Sequence, residues 1–63
     1  MTMITRAVPK SSTQEMIKAL RRAGLKVEKI GMRYECHYKG ELIFAALNGR
    51  NNYLVRMRDD LFV

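Results

Sequence analysis

The sequence has almost none of the residues that staple small proteins together. Its 63 residues include one cysteine, Cys36, and one histidine, His37. A disulfide within the chain needs two cysteines, and a structural zinc site needs four ligands drawn mostly from Cys and His, so neither is possible. Domains below about 70–80 residues usually depend on such a staple or on a partner subunit. We therefore expect one small core, a homodimer, and no metal or other cofactor.

Long apolar runs are also missing. No stretch approaches the roughly 18 apolar residues of a membrane span, and the first residues lack the apolar segment of a signal peptide. A lone cysteine fits a reducing compartment better than an oxidising one. These absences predict a cytoplasmic protein with no membrane partner.

Acidic residues are scarce relative to basic ones. Twelve Lys and Arg stand against six Asp and Glu, which gives a net charge of +6. On so small a surface this surplus favours a polyanionic partner, because phosphate contacts release condensed counterions. The sequence contains no phosphate-binding loop or catalytic triad signature. Composition therefore favours binding of nucleic acid, DNA or RNA, and names no reaction.

The first residues predict a flexible segment ahead of the folded body. Residues 1–11 have no helical period and contain the only proline, Pro9. They are interpreted as a flexible basic arm, and residues 12–63 as a single domain. The first five residues, MTMIT, resemble the start of the β-galactosidase alpha peptide carried by expression vectors. That resemblance implies a vector-encoded leader, so residues 1–5 are set aside from the functional interpretation.

A helix is predicted over residues 13–23. Ser12 and Glu15 have the spacing of a capping box, in which each side chain accepts a hydrogen bond from the other's backbone N–H. Gly24 is predicted to end the helix, since glycine adopts the left-handed conformation that follows many helices. The apolar residues recur at helical spacing and form one stripe of Met16, Ile17, Leu20 and Ala23.

After Gly24 the apolar period changes to two, which is typical of strands. Residues 32–39 alternate strictly, so two sets of side chains are expected on opposite faces of a sheet. The set predicted to face the core is Met32, Tyr34, Cys36 and Tyr38. The set predicted to face outward is Arg33, Glu35, His37 and Lys39. Lys39-Gly40 predicts a tight hairpin turn, followed by a central strand over residues 41–47.

The last segment, residues 53–63, fits either a strand or a helix. As a strand it would turn Tyr53 toward the core and Arg56 and Arg58 outward. Two acidic residues near a helix C-terminus would oppose the helix dipole, so the strand is preferred. The predicted fold is α+β, with one N-terminal helix packed on a three- or four-stranded antiparallel sheet. The alternative is an α-β-β-β-α order.

The exposed sheet face is the predicted nucleic-acid surface. Basic side chains on a β-surface bind phosphates, and an arginine can read guanine with two hydrogen bonds. The predicted binding residues are Arg33, Lys39, Arg50, Arg56 and Arg58, with Lys18, Arg21 and Arg22 as a secondary patch on the helix. The favoured function is that of a small non-catalytic regulatory or accessory protein.

A catalytic alternative depends on His37. Glu35 and Lys39 share its predicted face, and such a set offers a general base and a cation for phosphodiester cleavage. The order of a short helix ending in LRRAG, a strand, a glycine and a strand bearing a histidine resembles the HicA-type mRNA interferase toxins over residues 13–47. The resemblance implies a double-stranded-RNA-binding-like fold, a second C-terminal helix, and a ribonuclease activity using His37. In that family the histidine directly follows a Gly-Ser pair, whereas Gly31 is followed here by Met32.

A third interpretation rests on apolar residues beyond those that a small core needs. Phe44, Leu61 and Phe62 are predicted interface residues, either between two copies of the chain or with another protein. Small basic proteins of phages and plasmids include inhibitors and adaptors that dock on acidic protein surfaces, and this chain fits that description. Cys36 is predicted to be a small buried hydrophobe.

Overall fold

One helix covers one face of a five-stranded antiparallel sheet. The structure, a computed structural model, describes residues 2–62, with side chains through residue 60. The elements are β1 (Met3–Pro9), α1 (Lys10–Arg22), β2 (Val27–Ile30), β3 (Arg33–Tyr38), β4 (Glu41–Asn48), β5 (Asn52–Arg58) and a short 3-10 helix (Asp59–Phe62). The α+β prediction is confirmed, although the sheet has five strands where three or four were expected.

The sheet order places the first two strands of the chain at opposite edges. Neighbouring strands follow the order β1-β5-β4-β3-β2, and every pair is antiparallel. Helix α1 therefore crosses the sheet from the end of β1 to the start of β2, and it contacts β1, β5 and β2 on the way. Within residues 2–62, α1 is the only α-helix, so no second α-helix covers the opposite side of the sheet. We call that side the open face.

Strand β1 replaces the flexible arm that the sequence predicted. It pairs along its whole length with β5, with Ile4 opposite Met57 and Val8 opposite Tyr53. Ile4 and Val8 are half-buried on the helix side, while Arg6 between them is exposed. Pro9 is tolerated because it is the last residue of an edge strand, where no ladder hydrogen bond is lost. The helix is thus the second element of the fold.

The helix begins three residues earlier than predicted, and the capping box is wrong. Pro9 occupies the N-cap position with φ of −53°, and no side chain caps the helix. Ser12 is exposed inside the helix. The buried hydroxyl of Thr13 instead donates a hydrogen bond to the carbonyl of Pro9 at 3.1 Å. Proline's fixed φ already suits the helix entrance, so a side-chain cap is not needed there.

The helix ends as predicted. Gly24 has φ of 88°, its N–H donates to the Arg21 carbonyl at 3.0 Å, and the N–H of Leu25 donates to the Leu20 carbonyl at 3.1 Å. This pair of bonds is the Schellman arrangement, which satisfies two carbonyls that the helix leaves unpaired. Leu20 and Leu25 both pack against the core, so the helix end is joined to the sheet.

The core lies between α1 and the helix side of the sheet. Its buried apolar members are Ile17, Val27, Cys36, Ile43, Phe44, Ala46, Tyr53, Val55 and Met57. Burial raises the pKa of the Cys36 thiol through desolvation, so the sulfur stays protonated as a small apolar group. β5 buries alternate residues, as the strand interpretation required, and the α-β-β-β-α alternative is wrong because Asn52–Arg58 is a strand.

The alternation in β3 holds for only half of the predicted core set. Tyr34 and Cys36 face the helix, but Met32 is 69% exposed and Tyr38 is 47% exposed. Met32 belongs to the turn between β2 and β3. Beyond Cys36 the register with β4 shifts by one residue, because Ile43 is inserted as a β-bulge and is buried together with its neighbour Phe44. The bulge distorts the hairpin end, and Tyr38 lies outside the core.

The predicted hairpin turn at Lys39-Gly40 is present. Both residues have positive φ, 52° and 78°, which a two-residue turn between twisted strands favours. Within residues 2–62, no helix is long and apolar enough to cross a membrane.

Candidate nucleic-acid interface

The open face presents two rows of side chains that cross all five strands. They are the residues that alternate with the buried set, and the strand register aligns them. The first row is Thr5, Arg56, Ala45, Glu35 and Glu28. The second row is Ala7, Leu54, Leu47, Arg33 and Ile30. Arg58 follows Arg56 on the same face of β5.

The charges of the open face balance. Arg33 contacts Glu35 at 2.7 Å, and Arg58 lies 3.4 Å from Asp60 without hydrogen-bond geometry. The strands of this face have three basic residues, Arg33, Arg56 and Arg58, and two acidic ones, Glu28 and Glu35, and the ion pair with Arg58 adds Asp60 of the 3-10 helix as a third acidic residue beside the face. The structure therefore brings Arg33, Arg56 and Arg58 to one face, as predicted, but the acidic neighbours cancel their positive charge.

The middle of the open face is apolar. Leu47 and Leu54 face each other across β4 and β5 and are 51% and 49% exposed. Beside them, over the small side chain of Ala45, lies a shallow depression of about 370 Å³ that Arg33 and Arg56 flank. Exposed leucines next to a depression are typical of protein contact surfaces rather than of phosphate-binding surfaces.

The positive surplus therefore lies on the rest of the molecule. Outside the open face the sequence has nine basic and three acidic residues, a surplus of six that equals the net charge of the whole chain. Lys39 and Arg50 belong to this group, but they flank opposite ends of the eight-residue β4, which is about 26 Å long at the usual strand rise. These two predicted binding residues do not share a site.

Helix α1 leaves part of its own side of the sheet uncovered, beside β2 and β3. Gln14 Nε2 donates to the Tyr53 hydroxyl at 3.4 Å near the start of the helix. Arg21 donates to the carbonyl of Val27 at 3.2 Å near its end. Gln14, Lys18 and Arg21 are spaced i, i+4 and i+7, so they share one flank of the helix. That flank borders the uncovered part of the sheet.

The floor of this uncovered region contains two tyrosines. Tyr34 and Tyr53 meet edge to face, with ring centroids 6.0 Å apart, and the Lys10 Nζ lies 5.8 Å from the centre of the Tyr53 ring. A depression of about 120 Å³ is lined by Lys29, Gly31, Met32, Tyr34, Asn48 and Tyr53. The Asn48 Oδ1 is buried there and has no hydrogen-bond partner within residues 2–62.

We call this region the helix-side cleft. Its members are Lys10, Gln14, Lys18, Arg21, Lys29, Tyr34, Asn48 and Tyr53. It includes two residues of the predicted secondary patch, Lys18 and Arg21, and the third, Arg22, is exposed next to Arg21. Lys18 lies 3.6 Å from Glu15, and both side chains are so exposed that their ion pair holds Lys18 only weakly.

The sequence did not identify Lys10, Lys29, or the packing of Tyr34 against Tyr53, as parts of the binding site. The i, i+4, i+7 spacing of Gln14, Lys18 and Arg21 was a readable signal for the helix flank. Lys29 is two residues after the buried Val27 and so lies on the same face of β2, but its proximity to Tyr34 follows from the β2–β3 register. No pattern in the sequence indicates which residues of β2 and β3 are paired.

The three residues of the predicted catalytic set have different surroundings. His37 is exposed on β3, Glu35 is engaged by Arg33 at 2.7 Å, and the Lys39 Nζ lies 5.4 Å from the centre of the Tyr38 ring. Within the described residues, no hydrogen bond or ion pair joins His37 to Glu35 or to Lys39. In the same part of the chain, no three Cys, His, Asp or Glu residues are grouped as metal ligands.

Of the three predicted interface residues, only Phe44 has a side chain that the structure describes. Phe44 is fully buried in the core and is not an interface residue, because it lies on the helix side of β4, opposite Cys36 and Met57. The side chains of Leu61 and Phe62 lie outside the described part of the chain. Among the residues whose side chains are described, the large apolar ones that are exposed are instead Ile30, Met32, Tyr38, Leu47 and Leu54.

Comparisons of the chain with protein-family models, with curated proteins and with solved structures found no match. The fold and the site define the class: a small basic α+β protein with one helix on a five-stranded antiparallel sheet. Its function is inferred from its own side chains.

Proposed function

We propose that this chain is a small non-catalytic nucleic-acid-binding protein and that nucleic acid binds in the helix-side cleft. One observation carries the proposal: the whole surplus of six positive charges lies outside the open face, and four cations of that surplus border the cleft. They are Lys10, Lys18, Arg21 and Lys29. A polyanion is drawn to the region of highest positive potential, and each neutralised phosphate releases counterions.

The cleft offers more than charge. Tyr34 is half-buried, so part of its ring is open to a ligand while its packing against Tyr53 holds it in place. Bases that stack on aromatic side chains must first be unpaired, and such stacking supports single-strand binding. The unpartnered Asn48 Oδ1 is an acceptor for a base amino group. These features favour single-stranded RNA or DNA over a duplex.

The binding experiment uses labelled single-stranded RNA, single-stranded DNA and duplexes over a salt series. If four cations contact the phosphates of a single strand, the slope of log affinity against log salt is expected to be about −3, since each contact contributes about −0.7. The RNA is also run on a denaturing gel. Intact RNA is expected; fragments that disappear with His37→Ala would support the ribonuclease alternative instead.

A matched pair of lysines locates the site. Lys29→Gln removes one charge from the cleft, and Lys39→Gln removes one charge from the turn at the other end of the sheet. We expect Lys29→Gln to weaken binding several-fold and to flatten the salt slope by about 0.7, while Lys39→Gln changes little. Equal losses from both variants would mean diffuse attraction without a cleft. No binding at low salt would overturn the proposal and favour the adaptor interpretation.

A further inference from the structure

We propose that the open face is the contact surface between two copies of this chain, packed sheet to sheet around a two-fold axis that runs along β4. The inference is independent of the proposed function, because the helix-side cleft lies on the other side of the sheet.

The apolar centre of the open face gives the first reason. Leu47, Leu54 and Ile30 are between 42% and 51% exposed and lie in one row of this face. Covering them would bury apolar area at about 25 cal/mol per Å². Sheets pack face to face about 10 Å apart with interdigitating side chains. The depression over Ala45 offers space for a leucine from a facing sheet.

The second reason is the distribution of charge across the face. The basic Arg56 and Arg58 lie on β5, on one side of the central strand β4. The acidic Glu28 and Glu35 lie on β2 and β3, on the other side, and are directly opposite each other in the register. Each already has one cation beside it in its own chain, with Arg33 at 2.7 Å from Glu35 and Lys26 at 3.6 Å from Glu28. A further positive group over the pair would reduce the repulsion that remains between two like charges directly opposite each other.

A two-fold axis along β4 would place a positive group of the other copy over Glu35. The rotation places β5 of one copy over β3 of the other. It also places each of the two rows of side chains over the same row of the other copy, as a symmetric dimer interface requires. Arg56 of each copy then lies over Glu35 of the other copy. Leu47 meets Leu47 on the axis, and Leu54 covers the aliphatic part of Arg33. The face is therefore complementary to itself in both charge and apolar surface.

The size of the face sets the expected strength of the dimer. Five strands at the usual spacing span about 19 Å, so with strands of about 20 Å the flat footprint is about 400 Å² for each copy. Standard interfaces bury about 800 Å² for each partner. The dimer is thus at the small end, and we expect it to dissociate reversibly at micromolar concentrations.

Charge reversal provides a test that only this arrangement passes. In a dimer of the Arg56→Glu variant, position 56 of each copy and Glu35 of the other copy are both acidic. In a dimer of the Glu35→Arg variant, position 35 of each copy and Arg56 of the other copy are both basic. Each variant alone is expected to sediment as a monomer at concentrations where the unmodified chain is a dimer. An equimolar mixture of the two is expected to form a heterodimer, because both symmetry-related contacts then join Glu to Arg.

Two further variants serve as controls for the charge-reversal experiment. Leu47→Arg, at a half-exposed position, is expected to abolish the dimer, and Arg22→Gln on the far side of α1 is expected to leave it unchanged. Circular dichroism checks that each variant is folded. A chain that stays monomeric at about 100 µM, a dimer that survives Leu47→Arg, or a mixture that fails to associate would each overturn the proposal. Nucleic-acid binding is measured on the same samples, so failure of one proposal is distinguishable from failure of the other.

Discussion

The two sides of the sheet differ in how their charges are arranged. The open face has as many acidic as basic residues and a leucine-rich centre, whereas the helix side and the turns have nine basic residues against three acidic ones. The net charge of +6 therefore belongs to one side of the molecule and is not spread evenly over its surface. Average charge predicts the class of partner, but only the strand register shows which surface meets that partner. The predictions that follow test this contrast, starting with the largest expected effect.

The two sides share one layer of buried side chains. Phe44→Ala is expected to lower the free energy of unfolding by about 3–5 kcal/mol, since a large buried side chain is replaced by a cavity. For so small a domain that loss is expected to leave the chain mostly unfolded at 25 °C. Urea unfolding followed by circular dichroism measures the effect.

The control for Phe44→Ala is Leu47→Ala, measured at a concentration below dimer dissociation. Leu47 is half-exposed on the open face, so its loss is expected to cost less than about 1 kcal/mol. Similar losses at the two positions would contradict the placement of Leu47 outside the core.

Nucleic-acid binding and dimerisation are expected to differ in how strongly they depend on salt concentration. Raising the salt concentration fourfold is expected to weaken single-strand binding about 50-fold, given four phosphate contacts. Dimerisation is expected to change only a few-fold, because much of its free energy comes from apolar burial. Fluorescence anisotropy and sedimentation equilibrium measure the two constants in the same buffers. A dimer with the steeper salt dependence would reverse the assignment of the two surfaces.

The contrast between the faces depends on α1 being fixed to only one of them. Thr13→Val removes the buried hydroxyl that donates to the Pro9 carbonyl, and we expect it to cost about 1–2 kcal/mol, since a part-buried hydrogen bond is lost. Ser12→Ala is the matched control and is expected to change stability by less than about 0.5 kcal/mol. If Ser12→Ala were the costlier change, Ser12 and not Thr13 would fix the helix start.

The smallest expected effect concerns Cys36. Burial raises the pKa of its thiol in the folded state, so its stabilising contribution is complete below the pKa of the unfolded chain and is lost as the pH rises through the folded-state pKa. In a Cys36→Ala variant the alkaline loss of stability is expected to be slightly smaller than in the unmodified chain. Urea unfolding at a series of alkaline pH values measures the difference, and identical pH profiles would contradict the burial of the thiol.

The sequence was most informative where one short segment determines its own structure. Helical spacing predicted that Ile17 and Leu20 pack against the core, Gly24 predicted the helix end, and alternation predicted that Tyr53 faces the core. Each of these signals is local, because it depends on residues within one or two turns of a helix or within one strand.

The missed features are those that depend on distant pairing. Ile4 and Val8 are too few, with Arg6 between them, to predict β1 before β5 is known to accept it. The bulge at Ile43 and the opposition of Glu28 to Glu35 are properties of register. For the candidate site, Lys18 and Arg21 were predicted, whereas Lys29 and Tyr34 join them only because β2 pairs with β3 in one particular alignment.

The pairing of β1 with β5 also sets the order in which the chain can fold during synthesis. Met3 lies opposite Arg58 in the sheet, so the edge strand β1 has no partner until β5 has been synthesised and has left the ribosome. The β2-β3-β4 meander and the helix can form earlier from local contacts. Pairing over so long a separation closes a large loop and is intrinsically slow. We expect the last step of folding to be the closing of β5 between β4 and β1, and nascent chains that end before β5 to expose an unpaired edge of β4.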